Sequence, residues 1–153
     1  MRVEGLKELQ DKLRQLAPNV ARNGLAAAVG AGAAVIRVDA KVRAPYYQGD
    51  VAKGQPPPGT LKRSIVQKQI PERSSLFKQV FYVTVRRGKQ YRAQGKKGNL
   101  SQDAYYWPWV EFGTTKMSAR PFLRPAFEAQ KQAAVMAIKN KLIERIDQEA
   151  EKR

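Results

Sequence analysis

Nine prolines punctuate the chain, and their spacing decides where long helices can form. A proline inside a helix removes one backbone hydrogen bond and clashes with the preceding turn, so a long helix needs a proline-free interval. The longest, residues 72–107, is broken by Gly88, Gly95 and Gly98 and carries a period of two, which leaves two intervals for long helices. Residues 20–43 lie between Pro18 and Pro45, and residues 126–150 contain neither proline nor glycine. Between Pro45 and Gly59 the sequence PYYQGDVAKGQPPPG excludes a helix or a central strand and predicts an extended arm.

Side-chain periodicity fills in the rest. Leu6, Leu9, Leu13 and Leu16 form one apolar stripe on a short docking helix that ends at Pro18. Asn19 is placed to cap a second helix over Val20–Arg43, with Leu25, Val29, Gly32, Ala33, Ile36 and Ala40 on one arc. Alanine and glycine make up much of the remainder, which predicts a helix that lets another backbone approach closely. TLKRSIVQKQI, residues 60–70, suits either a short helix or a strand anchored by Leu61, Ile65 and Ile70. From Leu76 to Arg86 the period becomes two, predicting a strand; a turn at 86–88 and KQYRA then complete a hairpin. AQGKKGNLSQD, residues 93–103, reads as a basic loop, and residues 104–112 have strand composition. Phe127, Ala134, Val135, Ile138, Leu142 and Ile146 mark the buried face of the last helix. The expected fold is therefore α+β: one domain over residues 1–153, with a small, mostly antiparallel sheet packed against a long helix in the N-terminal half and a long C-terminal helix.

Composition removes several functional classes. Cysteine and histidine are both absent, so there is no thiolate nucleophile, no Cys-ligated metal and no imidazole base. GKKG, residues 95–98, lacks the G-x-x-x-x-G-K-[ST] pattern of a phosphate loop. Without histidine a Ser-His-Asp triad is impossible. These absences predict a non-enzyme without cofactor or metal. The apolar run LAAAVGAGAAVI is too short to span a bilayer, and the N-terminal residues lack the apolar centre of a signal peptide, so no membrane role is expected.

The net charge of +16 is unevenly placed. Residues 61–100 carry 11 basic groups against the single acid Glu72, a net +10, while the flanking parts contribute +4 and +2. Such an excess attracts polyanions without specifying base sequence. Arg86, Arg87, Lys89, Arg92, Lys96 and Lys97 are the part of this excess that falls in residues 86–98. Tyr91, Tyr105, Tyr106, Trp107 and Trp109 could stack on exposed bases, but strand alternation would bury at least half of them.

The densest stretch is YYWPWVEFGTTKMSARPFLRPAF, residues 105–127. Trp109 and Phe112 are expected as apolar anchors, Gly113 as a left-handed exit, and Thr114 and Thr115 as turn residues. Pro108 suggests an edge or bulged strand, and Pro125 the first position of the last helix. Glu111 is expected to meet Arg120 or Arg124, within the chain or across to a neighbouring copy.

VEFGTTKMSARPFLRPA, residues 110–126, resembles the VEFGT and RPFLRPA signature of the tail-completion, or neck, family of long-tailed bacteriophages, whose members are also described as minor tail components. GLKELQDKL near the start, the alanine-rich helix running into Ala44-Pro45, and TLKRSI at 60–65 extend the resemblance over most of the chain. YYWPW departs from the shorter aromatic approach usual in that family. The resemblance implies a structural subunit, made in the host cytoplasm and located in the virion neck, that assembles into a ring, generally a hexamer. Its implied partners are other copies of itself, the adjacent head-closure ring and the tail-terminator or tail-tube proteins, with non-specific contact to genomic double-stranded DNA, for which Arg86, Arg87, Lys89, Arg92, Lys96 and Lys97 are the candidates for channel-lining or ring-interface charge. It assigns Glu111, Phe112, Gly113, Thr114, Arg120, Pro121, Phe122, Arg124 and Pro125 to an assembly signature, which Trp109 joins as an apolar anchor. The alternative from charge alone is a small, basic, sequence-independent nucleic-acid-binding domain.

Overall fold

The computed structural model describes residues 7, 8, 11, 18–47, 55–88 and 103–151. Its elements run α1 (Pro18–Arg43), α2 (Thr60–Ser64), β1 (Ile65–Gln69), a single 3-10 turn (Pro71–Arg73), β2 (Phe81–Val85), α3 (Trp107–Phe112) and α4 (Leu123–Ala150). The fold is α+β, with α1 and α4 packed against a two-stranded antiparallel sheet. Of the first predicted helix, Lys7, Glu8 and Asp11 are helical and exposed, and its four leucines lie outside the described residues.

The chain divides into two compact units. The first comprises Met1–Val35, Lys68–Tyr82 and Gln132–Arg153. Its core joins Ala21 and Ala28 of α1 to Leu142 and Ile146 of α4, with Ile138 half-buried beside them. The buried face of α1 here is made of small residues, Ala21, Gly24, Ala28 and Gly32, spaced three and four apart, while Leu25 and Val29 are only half-buried. This is the close approach that the Ala/Gly composition predicts. A Cβ at Gly32 would lie 2.5 Å from Ile138 Cγ1 and 3.0 Å from the Ala134 carbonyl oxygen, so glycine is required there by space. Helix α1 begins at Pro18, where a missing N–H costs nothing; Asn19 is therefore a helical residue and does not occupy the cap position expected of it.

The second unit comprises Ile36–Gln67 and Val83–Lys131. Phe122, Ile65 and Ala126 are fully buried with Ala40, Ala44, Leu61, Val85 and Ala104. Val83, Tyr106, Trp107, Val110 and Leu123 close around them. Residues 60–70 turn out to be both alternatives in succession: the helical turn α2 buries Leu61, and β1 then starts at Ile65. Gly59, at φ 76°, makes the entry to α2, and Arg63 ties the turn back through Nη1 to the Pro58 carbonyl at 2.9 Å.

Two strand expectations are corrected. Strand β2 starts at Phe81, because Ser75 and Lys78 close a tight turn that leaves Phe77 58% exposed. Among the described residues β2 pairs with β1: Arg86 N–H bonds the Ser64 carbonyl and Ile70 N–H bonds the Val80 carbonyl, each at 2.9 Å, which fixes an antiparallel register. The expected partner KQYRA lies outside the described residues. Residues 107–112 form helix α3, not a strand, since Pro108 falls in the first turn, where its lost donor has no helical partner in any case. Aromatic residues favour strands only where a pleated, half-buried surface receives them.

The C-terminal helix starts at Leu123, three residues before the proline-free interval. Ala134, Leu142 and Ile146 are buried as the stripe predicts, whereas Phe127 is 51% exposed. Among the described residues no helix is long and apolar enough to cross a membrane.

Candidate functional site

The signature stretch folds into a compact joint between α3 and α4, all within the second unit. Helix α3 is closed at its C-terminal end by the Gly113 N–H, which bonds the Trp109 carbonyl at 2.9 Å. The chain then reverses at Gly113, with φ 76° and ψ 179°. This is the positive-φ exit expected of that glycine. A Cβ there would meet the Ala119 nitrogen at 2.9 Å and the Met117 carbonyl oxygen at 3.0 Å, so backbone conformation and space both demand glycine. Thr114 and Met117 exchange backbone bonds at 2.9 and 3.3 Å, and the Lys116 N–H reaches the Thr114 hydroxyl at 3.2 Å. Arg120 N–H then bonds the Val110 carbonyl at 2.8 Å, bringing the chain back alongside α3.

Glu111 completes the joint. Its side chain is buried, 4% exposed, and its carboxylate accepts bonds from three successive backbone N–H groups: Oε2 from Phe122 at 2.8 Å and Leu123 at 3.0 Å, and Oε1 from Arg124 at 3.1 Å. These are orphan donors of the first turn of α4. The next residue, Pro125, has no N–H, and Ala126 already bonds the Phe122 carbonyl at 3.3 Å. Every donor at this helix start is thereby accounted for, and the carboxylate sits at the positive end of the helix dipole. Within the chain, backbone amides take up Glu111 where a guanidinium was expected, and Pro125 stands third in the helix, not first. The other buried carboxylate, Asp103, accepts the Gly88 N–H at 2.7 Å, while Ala104 N–H bonds the Arg86 carbonyl. Both acids thus hold backbone.

The remaining signature side chains fall into two groups. Phe122 is fully buried and anchors the unit, a role expected of Trp109 and Phe112, which are instead 52% and 64% exposed. Six residues of α3 can bury only one face, and that face is filled by Trp107, Val110 and Glu111. Outside, Tyr105 packs edge-on against Trp109 with centroids 6.0 Å apart, and the Arg124 guanidinium lies 5.7 Å from the Phe112 ring centroid. Met117 is also exposed, as are Thr114, Arg120 and Pro121. Tyr106 points inward; burial pushes its phenol above the ordinary range, opposed by a hydrogen bond with the Leu61 backbone. Of the candidate channel charges, Arg87 is exposed and Arg86 half-buried; Lys89, Arg92, Lys96 and Lys97 lie outside the described residues.

A family model described as "Bacteriophage HK97-gp10, putative tail-component" matches residues 7–113, more than half of the chain. The chain belongs to this family. No match was found among curated proteins or among solved structures. The HK97-gp10-like match covers α1, the hairpin and α3, and ends at Gly113. It therefore includes the capping acid Glu111 and the turn glycine, and stops before the donors at 122–124. Membership implies a component of the phage tail that contacts other virion proteins.

Proposed function

We propose that the protein is a non-enzymatic neck subunit that completes the tail and joins it to the DNA-filled head. Six copies form a ring between the head-closure ring and the tail-terminator or tail-tube proteins. The observation that supports this reading best is the pairing of a locked backbone with an exposed aromatic surface. Glu111 and Gly113 fix the joint from inside, while Tyr105, Trp109, Phe112 and Met117 are each more than two-fifths exposed on it. Large apolar groups held rigidly in water are what a protein interface uses, because little ordering entropy is lost on docking. On this reading the signature residues divide into those that build the joint (Glu111, Gly113, Thr114, Phe122, Pro125) and those that meet a neighbour (Trp109, Phe112, Arg120, Pro121, Arg124).

The basic segment supports a DNA path through the ring. Duplex DNA presents about one phosphate per 1.7 Å, so a ring about 40 Å thick would face on the order of 24 phosphates. Six copies of residues 61–100 supply about 60 positive charges, more than a channel can use, and the surplus would face acidic surfaces of adjacent rings. Electron microscopy of virions carrying a tagged copy tests the proposal. A six-fold ring of tag density at the head–tail junction is expected; density elsewhere in the tail would refute the neck assignment. A stable monomer that enters no particle and binds DNA with strong salt dependence would favour the plain nucleic-acid-binding alternative.

A further inference from the structure

The exposed side of the hairpin within the first unit carries basic side chains that form no ion pair among the described residues. In the antiparallel register set by Ile70 and Val80, Lys68 stands opposite Tyr82, so the two side chains share a face. Both are exposed. Arg73, from the 3-10 turn, joins that face: its Nη1 donates to the Tyr82 hydroxyl at 2.6 Å, and its guanidinium carbon lies 5.9 Å from the ring centroid. Lys78 is exposed at the closing turn. Glu72 is the single acid of residues 68–82.

On α4, Lys131 pairs with Glu128 and Lys141 with Glu144, and on α1 Arg43 pairs with Asp39. Lys68, Arg73 and Lys78 have no carboxylate partner among the described residues.

We infer that this end of the hairpin, with Lys68 and Arg73 on one face and Lys78 exposed at the closing turn, is a sequence-independent contact surface for the phosphate backbone of duplex DNA. Three points select that occupant over an acidic protein. Lysine is depleted in protein–protein interfaces, whereas phosphate contacts are made largely by lysine and arginine. The guanidinium is held by Tyr82 through one nitrogen, leaving its other donors for a phosphate. Among the described residues no carboxylate forms an ion pair with Lys68, Arg73 or Lys78. The inference rests on the neck reading only for choosing duplex over single strands; it adds residues outside the 86–98 segment, and it is testable on the isolated chain whether or not rings form.

The test is fluorescence anisotropy of a mixed-sequence 30-base-pair duplex titrated with the full chain from 50 to 200 mM salt. The triple variant Lys68→Gln, Arg73→Gln, Lys78→Gln is compared with a control of equal charge loss, Lys116→Gln, Lys131→Gln, Lys141→Gln. Each lost phosphate contact lowers the salt slope by about 0.9, so the hairpin variant should lose about 2.7 from the slope and the control close to nothing. Over that salt range the wild type then weakens roughly forty-fold more than the hairpin variant. Equal slopes for the two variants would overturn the inference, as would polyglutamate displacing the duplex at matched charge. If the triple variant melts early, the singles Lys68→Gln and Lys78→Gln replace it, each expected to remove about 0.9. Failure here with six-fold density still at the head–tail junction would leave the neck reading standing.

Discussion

Replacing Glu111 isolates the interaction that holds α3 to the start of α4. In Glu111→Ala, three N–H groups lose an anionic acceptor in a place where water enters poorly. A hydrogen bond to a charged group contributes roughly 1.5–3 kcal/mol, and loss of an ordinary helix cap costs about 0.5–2 kcal/mol. The Arg124 bond is the longest and only part-buried, so water recovers some of it. A loss of about 3 kcal/mol is expected, which for a chain of this size lowers the melting temperature by roughly 6–12 °C. Glu111→Gln sharpens the test because it keeps the volume. Its amide oxygen can still serve Phe122 and Leu123, but its NH2 group would face the Arg124 N–H, donor against donor. About half the loss is expected for Gln. Urea and thermal denaturation by circular dichroism give the stabilities, and hydrogen exchange at the amides of residues 122–124 reports the cap directly. If Glu111→Gln melts with the wild type and those amides keep their protection, the carboxylate is only filling space and the capping argument is wrong.

Gly113→Ala, which needs a disfavoured positive φ and places a Cβ 2.9 Å from the Ala119 nitrogen, should cost about 2 kcal/mol or more, and Gly113→Val more still; unchanged denaturant midpoints would refute the turn geometry. Two glycines of α1 should respond with opposite sign. Gly32→Ala is expected to destabilise by about 1–3 kcal/mol through the clash with Ile138 and the Ala134 carbonyl, whereas Gly24→Ala, with 3.7 Å of clearance to Arg145 Cβ, should stabilise by up to about 1 kcal/mol, as differential scanning calorimetry would resolve. Phe122→Ala empties the centre of the second unit and should cost about 3–5 kcal/mol in chemical denaturation. Trp109→Ala and Phe112→Ala remove exposed rings, so each should leave stability within about 0.5 kcal/mol while reducing incorporation into particles, measured by immunoblotting purified virions.

What the sequence determined by itself was the set of features that depend on local chain chemistry. Proline spacing located α1 and α4 to within a few residues, the Ala/Gly content of α1 implied a close approach, and the glycine after Phe112 implied a left-handed exit; each follows from which backbone angles and side-chain volumes are permitted at a position. The absence of histidine and cysteine likewise limited the chemistry before any fold was known. Tertiary structure alone decided the partners. WPWVEF has the aromatic composition of a strand, but over six residues that composition does not fix the backbone, and the core surrounding Phe122 accepts it as a helix. No spacing rule links Glu111 to amides eleven to thirteen residues later, since that bond exists only once Gly113 and the 114–117 turn have folded the chain back. For the same reason Trp109 and Phe112 looked like anchors and are not: hydrophobicity is a property of the residue, but burial depends on which face of α3 the rest of the unit covers.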